Sequence, residues 1–423
     1  MDWRGKWIMV MFLILSCSRA LADAETDSHS FGGFAVLSAG HTRVPSNAVN
    51  PGNILAIGDY NSEMAFIWDG EFEGTTARVR LAEDASFSPG SGAQSTVTIA
   101  ELNKIFALGN GYTLSIGKRQ LTLDTAFVLQ PLGFFQKRID FTDLNDDRGL
   151  AEGLPMVVGT WVGASNSATL VYSDDFFSTP DGFNRGLRQG ALNVRHEFTD
   201  ASLSLTLRKA TGESVGAGMA GNVSVNEWLG LYVSSYANQG TNRPILAELA
   251  NIQSSVQRPD AVGSFRANDG KLYLKASMGF TVNTRSQVSL IVEGDHDGSG
   301  MSSAQWNAYR SLIALHQRTL GMPYGSVAER LLESDAQMLR PLGARRDYLY
   351  ISLSRPFDGL VLQAATYIGM ADGSHTLIAS ATDKLNQYCE ASMALNYVHG
   401  PSGSEASLSP VASNISVRLR FFF

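Results

Sequence analysis

The sequence predicts an all-β protein, a transmembrane antiparallel β-barrel of about 18 strands, with roughly 16 as the lower bound. Short segments in which apolar and polar residues alternate recur along most of the chain. Brief turns and long links alternate between these segments. The final segment has Ile415, Val417, Leu419, Phe421 and Phe423 on one face and Arg418 and Arg420 on the other. Together these observations favour a closed barrel, because closure would pair this aromatic terminal strand with the first strand.

The first residues have the pattern of an export signal. Positive charges precede an unbroken apolar stretch, and Ala20-Leu21-Ala22 supplies the small residues of a cleavage site. The stretch has about half of the roughly 20 residues that a spanning helix needs, so we do not expect an anchor. We expect a signal peptide at 1–22 and a single barrel domain at 23–423. A lipid-modified Cys17 is the minor alternative.

Composition narrows the class further. Charged residues make up 17% of the chain, below the roughly 25% of an average soluble domain. No stretch after residue 22 approaches 18 consecutive apolar residues, which excludes a bundle of transmembrane helices. The net charge of −7 excludes a generally basic nucleic-acid binder. After cleavage Cys389 would be the remaining cysteine, so no internal disulfide is expected.

The alternating segments, taken in order, predict 18 strands. They are Gly33–Val44, Glu63–Gly70, Thr75–Glu83, Thr96–Phe106, Tyr112–Lys118, Leu154–Val162, Ala168–Tyr172, Ala191–Phe198, Ser202–Ala210, Gly216–Val225, Trp228–Tyr236, Lys271–Val282, Gln287–Glu293, Asp347–Arg355, Leu360–Ile368, His375–Ala381, Cys389–Tyr397 and Asn414–Phe423.

The connections predict the orientation of the barrel. Short turns, such as Asp69-Gly70 and Gly109-Asn110-Gly111, alternate with long links, such as 119–153 and 294–346. Membrane barrels of this kind have brief periplasmic turns and long outer loops. An even number of strands then places both termini on the periplasmic side.

The link 294–346 is predicted to be a partly helical outer loop. Ser303–Arg318 carries apolar residues at helical spacing, and Ser326 with Glu329 forms a capping box that opens a second helix. A third short helix is a candidate at Pro244–Ile252. We expect the helical loop to act as a lid or constriction. A packed surface loop is the alternative.

The terminal strand resembles that of the outer-membrane β-barrels of Gram-negative bacteria, whose last residue is commonly Phe. The resemblance implies that Leu419, Phe421 and Phe423 are read by the barrel-assembly machinery. A second stretch, Ser115 to Leu121 followed by Pro131-Leu132 and Asp140-Phe141, resembles the Gly-Arg-Gln strand and loop of the specific-porin and alginate-export-type families, although Lys118 stands where Arg is usual. The resemblance implies a porin-like barrel in outer-membrane lipid, exported through the periplasm, as a monomer or homotrimer.

Strand alternation also predicts which side chains line the interior. The predicted pore-lining residues are Arg78, Arg80, Arg195, Arg208, Tyr273, Lys275, Tyr348, Tyr350, Arg418 and Arg420. Clustered positive charge on an aqueous wall would concentrate anions. The alternative is that acidic groups of the outer loops pair with these cations and cancel the field. The candidate acids are Asp140, Asp143, Asp146, Asp147, Asp295 and Asp297.

The expected function is passive diffusion of small polar solutes, with anions favoured if the inner arginines stay unpaired. No nucleic-acid partner, cofactor, metal or catalytic site is expected. The carboxylates of Gly294–Gly298 lack the later acidic residue of a calcium loop, so a plain turn is expected there. Two alternative functions remain open. One is a barrel that binds or assembles with another envelope component, and the other is a barrel hydrolase that uses His296 or His316.

Overall fold

The barrel is closed. A computed structural model of the chain describes residues 29–86, 93–135, 153–174, 187–240, 270–321, 325–339 and 343–423. These residues form 18 antiparallel strands, each hydrogen-bonded to its neighbours in sequence. The first strand also pairs with the last, from Phe34 opposite Phe422 to Arg43 opposite Ser413. The predicted fold class is therefore confirmed. The predicted signal peptide and the candidate helix Pro244–Ile252 lie outside the described residues.

The strands agree with the predicted segments to within a few residues at each end. They are β1 (His29–Arg43), β2 (Tyr60–Phe72), β3 (Thr75–Ser86), β4 (Ala93–Gly109), β5 (Tyr112–Arg119), β6 (Leu154–Val162), β7 (Asn166–Asp174), β8 (Arg188–Glu197), β9 (Ala201–Ala210), β10 (Gly216–Ser224), β11 (Leu229–Gln239), β12 (Leu272–Asn283), β13 (Ser289–Asp297), β14 (Asp347–Phe357), β15 (Leu360–Gly369), β16 (His375–Asn386), β17 (Cys389–His399) and β18 (Ser413–Phe422).

One predicted turn is wrong. Asp69 and Gly70 belong to β2, and the turn follows at Glu73-Gly74, where φ is +44° and +73°. The turn after β4 is of the same kind, because Asn110 and Gly111 have φ values of +52° and +80°. Positive φ at both central residues matches the right-handed twist of paired strands, which is why a short turn here needs residues that tolerate it.

The two faces of the sheet differ sharply. Leu205 and Met278 are 58% and 64% exposed on the outer face, whereas their neighbours Thr206 and Ser277 are each 1% exposed on the inner face. Residues opposite each other on adjacent strands share a face, so the same alternation continues around the barrel. An apolar outer face and a polar inner face are typical of barrels that span a lipid bilayer.

Within the described residues, three helices lie in the long links. Helix α1 (Ser303–Thr319) and helix α2 (Gly325–Met338) fall in the 298–346 link, and helix α3 (Glu405–Leu408) falls between β17 and β18. A 3-10 turn, Pro51–Asn53, follows β1. None of the described helices is both long and apolar enough to cross a membrane.

The helix starts differ from the prediction in one respect. The capping box belongs to α1, where the Ser302 side chain accepts from the Gln305 N–H and the Gln305 side chain accepts from the Ser302 N–H. Ser326 lies inside α2, which begins at Gly325, so the capping box predicted for Ser326 and Glu329 is wrong. Gln serves as well as Glu in this motif, so the sequence did contain the correct signal.

Candidate functional site

The strand register places every predicted pore-lining residue on the inner face. These residues are Arg78 and Arg80 on β3, Arg195 on β8, Arg208 on β9, Tyr273 and Lys275 on β12, Tyr348 and Tyr350 on β14, and Arg418 and Arg420 on β18. The predicted assembly-signal residues Leu419, Phe421 and Phe423 lie on or next to β18, and Leu419 and Phe421 face outward.

Most of the inner cations contact carboxylates on the strands themselves. Arg78 pairs with Asp69, Arg80 with Glu63 and Arg195 with Glu197. The remaining pairs are Arg420 Nη1 to Glu390 Oε1 at 3.0 Å, and Lys275 Nζ to Asp297 Oδ2 at 3.6 Å. Each pair brings opposite charges together on one wall, which reduces the field that either charge projects into the lumen.

Two of the acids predicted to balance these cations lie on a strand rather than in a link. Asp295 and Asp297 were expected in an outer loop, but both lie on the inner face of β13. The same strand includes Gly294 and His296, so the plain turn expected at Gly294–Gly298 is also wrong. Asp140, Asp143, Asp146 and Asp147 lie outside the described residues.

The residues 121–135, here called the inner segment, cross the interior of the barrel. At one end Phe135 is fully buried against Met156, Val158 and Val171 on β6 and β7. Leu132 packs against Ala220 and Tyr236 on β10 and β11. Val128 packs among residues of the far wall, namely Ile291, Tyr348, Tyr350, Ala365, Tyr367 and Ile378. Because these contacts lie on widely separated strands, the inner segment spans the lumen between them.

A single carboxylate gives the inner segment its compact shape. Asp124 Oδ1 accepts from the N–H groups of Thr125 at 2.7 Å and Ala126 at 2.9 Å, and its Oδ2 accepts from the N–H of Leu132. Burial raises the pKa of Asp124 above that of an ordinary aspartate, and these hydrogen bonds oppose the shift. The carboxylate therefore ties the two halves of the inner segment together.

Arg208 is an inner residue that the inner segment covers. Its Nε donates to Gln189 Oε1 at 2.8 Å and its Nη1 donates to Glu213 Oε2 at 2.6 Å. The guanidinium lies over the ring of Phe134, and Gln189 Nε2 donates to the Phe134 carbonyl at 2.9 Å. Arg208 is 6% exposed, so it supports the inner segment rather than facing open lumen.

The inner tyrosines of β14 contact the long links and the inner segment. Tyr348 stacks on Tyr367, with ring centroids 4.8 Å apart and planes 6° apart. The Tyr348 hydroxyl donates to Glu405 Oε2 at 2.7 Å and accepts from the Arg345 N–H at 2.7 Å. Glu405 Oε1 also accepts from the Ala344 N–H. This network joins α3 and the end of the helical loop to the inner wall.

The helical loop forms a small hydrophobic cluster with its neighbours, which we call the rim cluster. Its buried members come from three links, namely Val49, Met301, Trp306, Tyr309, Ile313, Leu332, Leu339, Ala344 and Leu408. The helices therefore pack on each other and on the adjacent links. The segment that enters the barrel is 121–135, which the sequence predicts to be part of the long link 119–153. The role of the helical loop as a lid stays a prediction.

The residues considered for a hydrolase occupy separate places. His296 lies on the outer face with Nδ1 2.7 Å from Asp347 Oδ1, and His316 is buried between α1 and α2 with Nδ1 2.7 Å from Asp335 Oδ2. Among the residues that the structure describes, no group of three or more His, Cys, Asp or Glu side chains could hold a metal ion.

The inner segment was within reach of sequence reasoning. A link that lies in water would not be expected to concentrate apolar side chains, yet 121–135 contains Leu121, Leu123, Phe127, Val128, Leu132, Phe134 and Phe135. This density of apolar side chains indicates that the segment packs against an apolar surface. The strands that form that surface are given by the structure.

Comparison with known proteins places the fold. No family model matches the sequence, and no curated protein matches it. Among solved structures, Acinetobacter baumannii OccAB1 is similar with a TM-score of 0.53 and 11% identity, over 93% of this chain and 96% of that one. Pseudomonas aeruginosa OccK5 (OpdH) gives 0.54 and 6%, over 94% and 98%, and OccD3 (OpdP) of the same organism gives 0.50 and 9%, over 94% and 92%. The likeness is one of fold, a porin-like barrel of 18 strands.

Proposed function

We propose that this chain is a passive channel of the outer membrane that admits small polar solutes and is narrowest at the inner segment. The observation that carries the proposal is the closed barrel with an apolar outer face and a charged inner face. Arg78 and Asp69, an ion pair of the inner face, are 37% and 39% exposed, which supports a solvated interior. The proposal includes location in the outer membrane, where barrels of this architecture occur.

The sequence leaves two interpretations open, namely a lumen that prefers anions and a lumen whose cations are cancelled by acidic groups. The ion pairs on the inner wall favour an anion preference weaker than unpaired arginines would give. Arg420 is offset by Glu390 and Lys275 by Asp297 on the same wall. The net lumen charge then depends on a small excess of one sign. We propose weak ion selectivity that single charge changes can move in either direction.

Single-channel recording of the purified protein in a planar bilayer tests the proposal. We expect stable conductance steps and a reversal potential close to zero under a salt gradient. Arg418→Ser with Arg420→Ser removes two inner positive charges and should shift the reversal potential toward cation preference. Glu390→Gln should shift it toward anion preference. Val417→Ala, which changes the outer face of the same strand, is the matched control and should shift neither the conductance nor the reversal potential.

The same recordings contain the result that would contradict the proposal. A barrel that inserts into the bilayer but never conducts would exclude an open channel. If the reversal potential is the same after all three charge changes, the current does not pass along the inner wall.

A further inference from the structure

Glu293 is an inner residue of β13 whose carboxylate is wholly occupied by other parts of the chain. The residue is 0% exposed. Its Oε2 accepts from the Phe127 N–H at 2.7 Å, and its Oε1 accepts from the Val128 N–H at 2.8 Å. The Tyr232 hydroxyl also donates to Oε2, at 2.8 Å. Phe127 and Val128 belong to the inner segment, about 165 residues earlier in the chain.

These hydrogen bonds hold the inner segment in place, and the strands of the barrel do not depend on them. Glu293 is paired through its backbone with Gly279 on one side and Tyr350 on the other, so the sheet is complete without its side chain. A buried carboxylate is costly unless donors surround it. Consecutive backbone N–H groups are suited to this role, and hydrogen bonds to an ionised acceptor are stronger than neutral ones.

The wall is shaped to receive this arrangement. Gly279 lies opposite Glu293, and a Cβ at position 279 would fall 2.3 Å from the Tyr232 hydroxyl oxygen. Glycine there leaves the room in which Tyr232 reaches Glu293. The Phe127 ring meets the Tyr232 ring edge to face, with centroids 5.3 Å apart. Val128 is 5% exposed in the adjoining apolar cluster.

The other anchors of the inner segment lie elsewhere. Asp124 ties the segment to itself, the Thr125 hydroxyl donates to the Val233 carbonyl of β11 at 3.3 Å, and Gln189 holds the Phe134 carbonyl near the other end. The tip that includes Phe127 and Val128 has Glu293 as its charged anchor on the far wall. Loss of that anchor would leave the tip held by the apolar packing of Phe127 and Val128 alone, while the contacts at both ends stay in place.

We propose that Glu293 is a positioning residue that fastens the tip of the inner segment to the wall formed by β11, β13 and β14 and thereby sets the width of the channel. This inference rests on the proposed channel function, because it assigns the width of that channel to the contact between Glu293 and the tip of the inner segment. The fastened tip keeps the lumen narrow, and a released tip moves and widens it.

Protection of a thiol at position 128 measures the fastening without any current. The background carries Cys17→Ser and Cys389→Ser, with Val128→Cys as the reporter. The reporter is buried while the tip is docked and reacts with a water-soluble maleimide when the tip is released. Glu293→Gln should raise the labelling rate by about tenfold, which corresponds to the loss of one hydrogen bond to a charged group. Tyr232→Phe, which keeps the carboxylate, should raise it by less.

Glu390→Gln is the matched control, because it neutralises another inner carboxylate that pairs with Arg420 instead of the inner segment. It should leave the labelling rate unchanged. All variants are first checked for folding by their heat-dependent mobility in detergent gels. Should Glu293→Gln fail to fold, Tyr232→Phe supplies the same comparison.

Conductance of the same variants completes the test. Larger and noisier steps in Glu293→Gln, together with faster labelling, support the inference. Unchanged labelling overturns it, and so does faster labelling with unchanged conductance, since the contact would then not set the width. A folded wild-type protein that does not conduct contradicts the proposed function, while the labelling rates still decide whether Glu293 fastens the tip.

Discussion

The guanidinium of Arg208 lies over the ring of Phe134, 4.4 Å from its centroid. A cation of the barrel wall is thus covered by a residue of the inner segment, and its charge is met by Glu213 at 2.6 Å. Both partners of this ion pair are less than a tenth exposed. The contact links the position of the inner segment to a buried ion pair. Displacement of the inner segment should therefore affect the ion pair, and loss of the ion pair should affect the inner segment.

We expect Arg208→Ala to destabilise the protein strongly. Removing one member of a buried ion pair leaves the other charge without compensation, which costs about 3–5 kcal/mol. Arg195→Ala serves as the control, because its pair with Glu197 is 43% and 51% exposed, and exposed pairs contribute about 0–1 kcal/mol. Thermal unfolding followed by gel mobility measures both. Equal losses of stability in the two variants would mean that Glu213 finds another partner or becomes solvated.

We expect Leu132→Ala to loosen the inner segment and leave the barrel intact. Leu132 is fully buried against Ala220 and Tyr236, and truncation of such a side chain costs about 2–5 kcal/mol. Because the lost contacts are those of the inner segment, the effect should appear as noisier conductance steps at an unchanged unfolding temperature of the strands. Leu205→Ala on the outer face is the matched control. A drop in barrel stability without added noise would contradict this assignment.

The barrel could be predicted from the sequence because its information is local. A strand with a lipid face and a water face repeats every two residues, and each segment reports this pattern by itself. The inner face of β3 followed in the same way from Val79 and Leu81, which left Arg78 and Arg80 inside. Alternation decides the face of a residue, but it does not decide its partner.

The partners depend on register and on long-range packing. The sequence predicts a turn at Asp69, whereas the turn lies at Glu73-Gly74 and the Asp69 carboxylate pairs with Arg78 across β2 and β3. The contact between Glu293 and Val128 joins residues far apart in the chain. No periodicity encodes such a contact, so alternation alone predicts an outer loop for the inner segment.

We expect Tyr348→Phe to release the helical loop from the inner wall. The Tyr348 hydroxyl bridges the Arg345 N–H and Glu405 Oε2, each at 2.7 Å. Loss of the bridge leaves two buried polar groups unsatisfied, at a cost of about 1–3 kcal/mol each. Trypsin should then cut faster at the exposed arginines of α1 and α2. Tyr397→Phe on the outer face of β17 is the control and should leave the cleavage rate unchanged. Unaltered cleavage in Tyr348→Phe would mean that the rim cluster alone holds the loop.

The burial of Asp124 makes docking of the inner segment sensitive to pH. Its pKa is raised in the docked inner segment, so protons bind the docked form more tightly than an undocked, solvated form. The contribution of Asp124 to docking is therefore present below the ordinary aspartate pKa and is lost as the pH rises through the raised value. We expect quieter conductance at a pH below the ordinary aspartate pKa than at a pH above the raised value. Asp124→Asn keeps a carbonyl acceptor and removes the titrating proton, so this variant should lose the pH dependence. A pH dependence that persists in Asp124→Asn would assign it to another group in the lumen.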